Sequence, residues 1–166
     1  MRMEKSDRRK FLSRTLSGGA AAGAAVALPR VAVAKKMAAR KKVINRPGEQ
    51  TTPATVISPG IQFGDLLFVS GAGAHDPKTH KVVEGPFPNQ VRQCLENLKT
   101  VLEAAGSSMD RVLKCNVFLT EVTDFPAMNE VFHTYFTTDP PARSTVIVKD
   151  LPGQSPLEIE CIAYVG

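Results

Sequence analysis

The tightest constraint on this chain is a helix written into residues 88–105. Val91, Cys94, Leu95, Leu98, Val101, Leu102 and Ala105 recur at i, i+3, i+4 and i+7 spacing over four turns, and Gly106 follows where helices commonly stop. A helix with one apolar stripe must bury it against another element. The flanking segments supply that element. Residues 54–61 and 65–70 predict strands joined through Phe63-Gly64-Asp65, and residues 71–85 predict a loop with Asp76-Pro77 and Lys78-Thr79 as turn chemistry. Residues 111–120 alternate, with Leu113, Cys115, Val117 and Leu119 on one side. Asp124 is expected to cap a second helix reaching about residue 137, whose stripe is Met128, Val131, Phe132, Tyr135 and Phe136. Residues 144–149 and 157–165 predict closing strands around a loop with Pro152, Gly153 and Pro156. The order is strand, strand, helix, strand, helix, strand, strand, which predicts one α+β domain with both helices on one face of a sheet.

The strand faces carry a second message. In the last strand Leu157, Ile159, Cys161 and Ala163 point one way, and Glu158, Glu160, Ile162 and Tyr164 the other. The middle strand shows the same split, with Val112, Lys114, Asn116 and Phe118 on its second face. Two helices cover only one face. The other, mixing charges with Phe118, Ile162 and Tyr164, is expected to pack against further subunits.

The formal charge of +5 over 166 residues is unevenly placed. Residues 1–34 hold seven Lys/Arg and two acids, and six more bases lie in residues 35–46. Residues 47–166 hold eight bases against fourteen acids. An acidic body repels a phosphate backbone, so nucleic acid is not an expected partner. At the N-terminus, Arg8-Arg9-Lys10-Phe11-Leu12 resembles a twin-arginine export signature. A weakly apolar run of Ala and Gly follows over residues 16–28, and then Ala32-Val33-Ala34, a small-x-small cleavage pattern. The expected organisation is a signal peptide over 1–34, a basic tail over 35–49 and the domain over 50–166. The mature protein is then periplasmic or secreted, and it meets a membrane only through the export machinery.

Most familiar chemistries are excluded by what is missing from the sequence. The three cysteines, Cys94, Cys115 and Cys161, all fall on apolar stripes and read as small buried hydrophobes; a Cys115–Cys161 bridge stays open if their strands are neighbours. His75, His80 and His133 lack metal-ligand spacing and read as surface residues on loops and a helix. Gly71-Ala72-Gly73 is followed by loop rather than helix, so it is no dinucleotide turn. No cofactor and no metal are expected. What remains is Arg143, Glu158, Glu160, Ser70, Asn129 and Thr145. Arg143 with Ser144 and Thr145 offers a fork of donors and small side chains, a good receptor for a carboxylate. The alternative is an internal ion pair between Arg143 and Glu158 or Glu160.

From about residue 57 to 163 the chain resembles the Rid (YjgF) family of reactive-intermediate deaminases. The landmarks, in order, are Ser58-Pro59, Asp65-Leu66-Leu67-Phe68-Val69-Ser70-Gly71, Gln93-Cys94-Leu95-Glu96-Asn97-Leu98, and Glu103-Ala104-Ala105-Gly106. They continue with Asp124-Phe125, Asn129, Pro141-Ala142-Arg143-Ser144, and Leu157-Glu158-Ile159-Glu160-Cys161-Ile162-Ala163. The resemblance implies a chorismate-mutase-like fold, a homotrimer with sites at the clefts between subunits, and cofactor-free hydrolysis of short 2-imino acids or enamines to 2-keto acids and ammonia. It assigns the substrate carboxylate to Arg143, the water to Glu160, and the pocket lining to Ser70, Gly71, Asn129 and Thr145. One departure stands out: Gly60 follows Pro59 where many active members carry an aromatic ring. It motivates an alternative, a non-catalytic carboxylate-binding or chaperone-like trimer of the same fold.

Overall fold

Burying the stripe of the first helix organises everything else. The computed structural model describes residues 40–166. In chain order the elements are β1 (Lys41–Ile44), β2 (Gly60–Phe63), β3 (Leu66–Gly73), α1 (Phe87–Ala104), β4 (Val112–Leu119), α2 (Phe125–Tyr135), β5 (Ala142–Ile147) and β6 (Leu157–Tyr164). The strands form one sheet in the order β1-β2-β3-β6-β4-β5. All neighbours are antiparallel except β4 and β5, whose parallel pairing needs the crossover that α2 provides. Both helices lie on one face, as expected for an α+β domain.

α1 carries the predicted stripe into the core: Val91, Cys94, Leu95, Leu98, Val101 and Leu102 are all buried, against β3 and β6. It ends as the sequence predicts. Gly106 takes φ +78, and the amides of Gly106 and Ser107 return to the carbonyls of Glu103 and Leu102 at 2.9 Å. On the sheet, Leu67, Val69, Cys115, Val117, Leu119, Leu157, Ile159, Cys161 and Ala163 face the helices and complete the core. The thiols of Cys94, Cys115 and Cys161 are buried and free, although Cys115 and Cys161 are register partners on adjacent strands.

Several local expectations change. Residues 54–59 join no ladder, because Pro53 and Pro59 lack the amide donors a ladder requires; the strand begins at Gly60. Lys41–Ile44, inside the segment read as a basic tail, pairs with β2 and extends the sheet. β3 runs on to Gly73 through a register shift between Val69 and Ala72. In β4 a similar shift lets Val112 pair with Ala163 and Lys114 with Ile162. Leu113 is therefore the extra residue of a bulge and points outward, while Val112 turns in. Asp124 occupies the N-cap of α2, but its side chain makes no capping bond. The twin-arginine signature and the expected cleavage after Ala34 lie outside the described residues. Among the described residues, no helix is long and apolar enough to cross a membrane.

Among the described residues, nothing covers the second face of the sheet. It presents Phe68, Phe118, Ile162 and Tyr164 interleaved with Lys114, Asn116, Glu158 and Glu160.

Candidate functional site

Arg143 is the second residue of the edge strand β5, in register with buried Cys115. It therefore leans onto the helix side of the sheet, at the margin of α2. Its Nη2 donates to Asn129 Oδ1 at 2.6 Å, and Nη1 approaches Met128 Sδ at 3.8 Å. The guanidinium carbon stands 4.6 Å from the centre of the Phe132 ring and 5.8 Å from that of Phe125. Aromatic faces and a neutral amide stabilise the cation without neutralising it. Among the described residues, no carboxylate oxygen lies within 4.0 Å of this guanidinium. It faces an open hollow of about 390 Å³ walled by Phe132, His133, Pro140 and Pro141. The structure thus brings together Arg143 and Asn129, two of the residues that the resemblance assigns to the site. Thr145 shares Arg143's side of β5 but stands outside the walls of this hollow.

The internal ion pair weighed for Arg143 does not form. Glu158 and Glu160 project from the opposite face, and β4 separates β6 from β5. The two glutamates have different surroundings. Glu160 Oε1 accepts a hydrogen bond from Asn116 Nδ2 at 2.7 Å, in a cavity of about 140 Å³ bordered by Phe68, Lys114 and Ile162. Lys114 is itself turned to Ser144 Oγ at 2.7 Å. Glu158 instead borders a cavity of about 270 Å³ whose floor is Gly71, Ala72 and Gly73.

That floor explains the glycines. The Glu158 carboxylate lies in the space a Cβ on Gly71 would need. A Cβ on Gly73 would come within 2.9 Å of His75 Nδ1 and 3.0 Å of Ser155. Asn97 Nδ2 pins the strand end by donating to the carbonyls of Gly73 at 2.9 Å and His75 at 2.8 Å. At the rim, Arg46 and Glu49 form an ion pair at 3.4 Å. Ser70 sits beside this cavity, but its hydroxyl donates to the Ser58 carbonyl at 2.7 Å, and its amide to Pro59 at 3.0 Å. It thus anchors the segment before β2.

Gly60 has a structural cause. It is buried, and a Cβ there would stand 3.0 Å from Val101 Cγ1 and 3.3 Å from Ile44 Cβ. The position points into the core beneath β1, where no ring would fit.

One chain thus holds a guanidinium on one face and a carboxylate over Gly71 on the other. The resemblance assigns the water to Glu160; the structure sets the carboxylate of Glu158 against Gly71, and it places His75, read from sequence as a surface residue, on the border of the same cavity. The available signal was Gly71-x-Gly73-x-His75, three positions on one strand face with two side chains missing. Among the described residues, no group of three or more potential ligands is placed to hold a metal.

Residues 48–165 match the family model described as Endoribonuclease L-PSP. The chain belongs to this family, the Rid or YjgF family. A RutC family protein of Pyrococcus horikoshii is 46% identical over 112 residues, covering 68% of this chain and 89% of that protein. A 2-iminobutanoate/2-iminopropanoate deaminase of Dermatophagoides farinae is 36% identical over 125 residues, 75% of this chain and 97% of its own. Among solved structures, E. coli TdcF with bound serine superposes with a TM-score of 0.68 at 33% identity, covering 75% of this chain and 99% of its own. The two-helix mixed-sheet architecture is that of the Rid fold.

Proposed function

We propose that this protein hydrolyses short 2-imino acids, and their enamine tautomers, to 2-keto acids and ammonia, in a site completed between copies of the chain. The observation that carries the proposal is Arg143, a half-buried cation held by Asn129 and an aromatic face with no carboxylate partner among the described residues. Such a group is prepared for an anion from solution. The relatives support the same class: one is named a 2-iminobutanoate/2-iminopropanoate deaminase, and another holds serine, an α-amino acid with the carboxylate such a cation would bind.

The chemistry asks little of the protein. An iminium carbon is already electrophilic, so catalysis reduces to holding the carboxylate and aiming a water. Arg143 fixes orientation and offsets the substrate's charge. For the water, Glu158 is favoured over Glu160: its carboxylate borders the larger cavity and rests on Gly71, whereas an oxygen of Glu160 is occupied by Asn116. Because Arg143 and Glu158 lie on opposite faces, the edge of one copy would supply the guanidinium to the open face of the next. A homotrimer closes that relationship without leaving a free end.

An amino-acid oxidase generating imino acids in situ provides the test. Wild type is expected to speed keto-acid release well above the spontaneous rate, and Arg143→Ala to remove most of the gain. Wild type adding nothing across several small imino acids would overturn the reading in favour of a non-catalytic carboxylate-binding trimer. Ribonuclease activity is disfavoured, because residues 47–166 hold eight bases against fourteen acids. We also propose twin-arginine export with cleavage near Ala34. Replacing Arg8 and Arg9 by lysine should leave the protein in the cytoplasm, and unchanged export overturns that assignment.

A further inference from the structure

We infer that His75 is a second acid–base group of this site, working opposite Glu158 across the glycine floor. The inference rests on the deaminase reading and adds to it a residue that passes a proton to the departing nitrogen.

Gly71, Gly73 and His75 occupy alternate positions, so all three lie on one face of the strand and its continuation. The two glycines contribute no side chain, and the flanking groups lean into the space left open. The Glu158 carboxylate lies over Gly71, and the His75 ring leans back so that Nδ1 stands where a Cβ on Gly73 would crowd it, at 2.9 Å. Two residues of strand separate those points by roughly 6–7 Å. That gap admits a water or a small planar molecule touching both groups. The carboxylate, the imidazole and the glycines border the same cavity of about 270 Å³.

The ring is fixed on its far side. Its Nε2 is 2.9 Å from the Gly153 carbonyl. A carbonyl only accepts, so Nε2 carries the hydrogen and, in the neutral ring, Nδ1 keeps its lone pair. Gly153, at φ +77, is what allows this approach, since a Cβ there would stand 2.8 Å from Nε2. The His75 backbone is held as well, by the Asn97 amide at its carbonyl and by a bridge to Val82. A surface histidine with no task has no need of two glycines and an asparagine to set its tautomer and aim.

Water adds to the iminium carbon, and its proton passes to Nδ1. The amine nitrogen of the resulting carbinolamine, now basic, takes that proton back from the imidazolium. The C–N bond then breaks as the hydroxyl oxygen forms the carbonyl, and the hydroxyl proton goes to the Glu158 carboxylate. Ammonia collects that proton on leaving, so both groups return to their starting states. No oxidant or further reactant is involved.

The test compares wild type with His75→Ala in the oxidase-coupled assay. A general acid–base group is worth about 10²-fold or more, so kcat should fall by that order while KM changes little, because Arg143 still binds the carboxylate. Added imidazole should then restore rate in proportion to its concentration. His75→Ala keeping more than half of wild-type kcat overturns the inference, and so does a slow variant that imidazole does not rescue. Should that variant not fold, His75→Gln, which keeps a donor for Gly153 but has no basic nitrogen to take up a proton, is read by the same fall in kcat. An inactive wild type sinks the deaminase reading and this role together. An active wild type with indifferent His75 variants sinks this role alone.

Discussion

The Glu158 carboxylate occupies the space that a side chain on Gly71 would fill. This contact makes glycine the only residue that leaves the carboxylate where it is. In Gly71→Ala the far end of Glu158 must swing away, an inexpensive move for a flexible side chain but one that displaces the group aimed at the water. Misplacement of about 1 Å costs on the order of 10²-fold in rate. The expected outcome is a kcat/KM reduced ten- to a hundredfold on that principle, with a melting temperature close to wild type. Unchanged kinetics would separate Glu158 from the chemistry.

The two glutamates of β6 can be told apart directly. Glu158→Gln should lose most activity, since a neutral amide neither orients water as a carboxylate does nor takes the carbinolamine's hydroxyl proton. Glu160→Gln should retain activity within a few-fold, because its contact is a hydrogen bond to Asn116 on the open face. The reverse pattern would return the water to Glu160.

The helices, their buried stripes and the two-faced β6 were legible because periodicity is a local property. Arg143 and Asn129 were named through the family pattern, and the fold brings their side chains within 2.6 Å. What escaped was set by register and close approach. The bulge that turns Leu113 outward leaves no mark in an alternating run. Whether Glu158 or Glu160 meets Gly71 depends on how β3 pairs with β6 past the shift between Val69 and Ala72. Gly60 looked like a missing substrate-capping ring, yet β1 and α1 close over it. His75 looked idle because Gly153, its partner, lies 78 residues away.

The cysteines make a prediction about pH. Burial pushes the Cys115 thiol up to about 12 and raises Cys94 and Cys161 as well. A raised value in the folded state favours the thiol form there. The associated stability is full below the unfolded thiol's value, about 8.5, and is lost as pH rises toward the folded value. Melting temperature should therefore fall steadily between pH 9 and pH 11, and Cys115→Ala should flatten that slope. Tyr135, pushed up to about 12 by burial and by Glu96, adds to the same fall toward its upper end. A thiol reagent at pH 8 should find no reactive cysteine until the chain is unfolded. Rapid labelling of the native protein would contradict the burial of all three.

The separation of Arg143 and Glu158 onto opposite faces makes the strongest prediction, because it concerns how chains cooperate. Arg143→Ala and Glu158→Gln should each be inactive alone. Unfolded together in equal amounts and refolded, they form mixed assemblies. A site built from the guanidinium of one copy and the carboxylate of the next is intact only when both donors are unmutated at that junction. Random mixing in a closed ring makes that about one site in four. The mixture should thus recover about a quarter of wild-type activity from two inactive parents, by the same symmetry argument. If each site lay within a single chain, every chain would carry one lesion and no recovery would occur. Activity returning on mixing, with both parents silent, is an outcome that only a shared site produces.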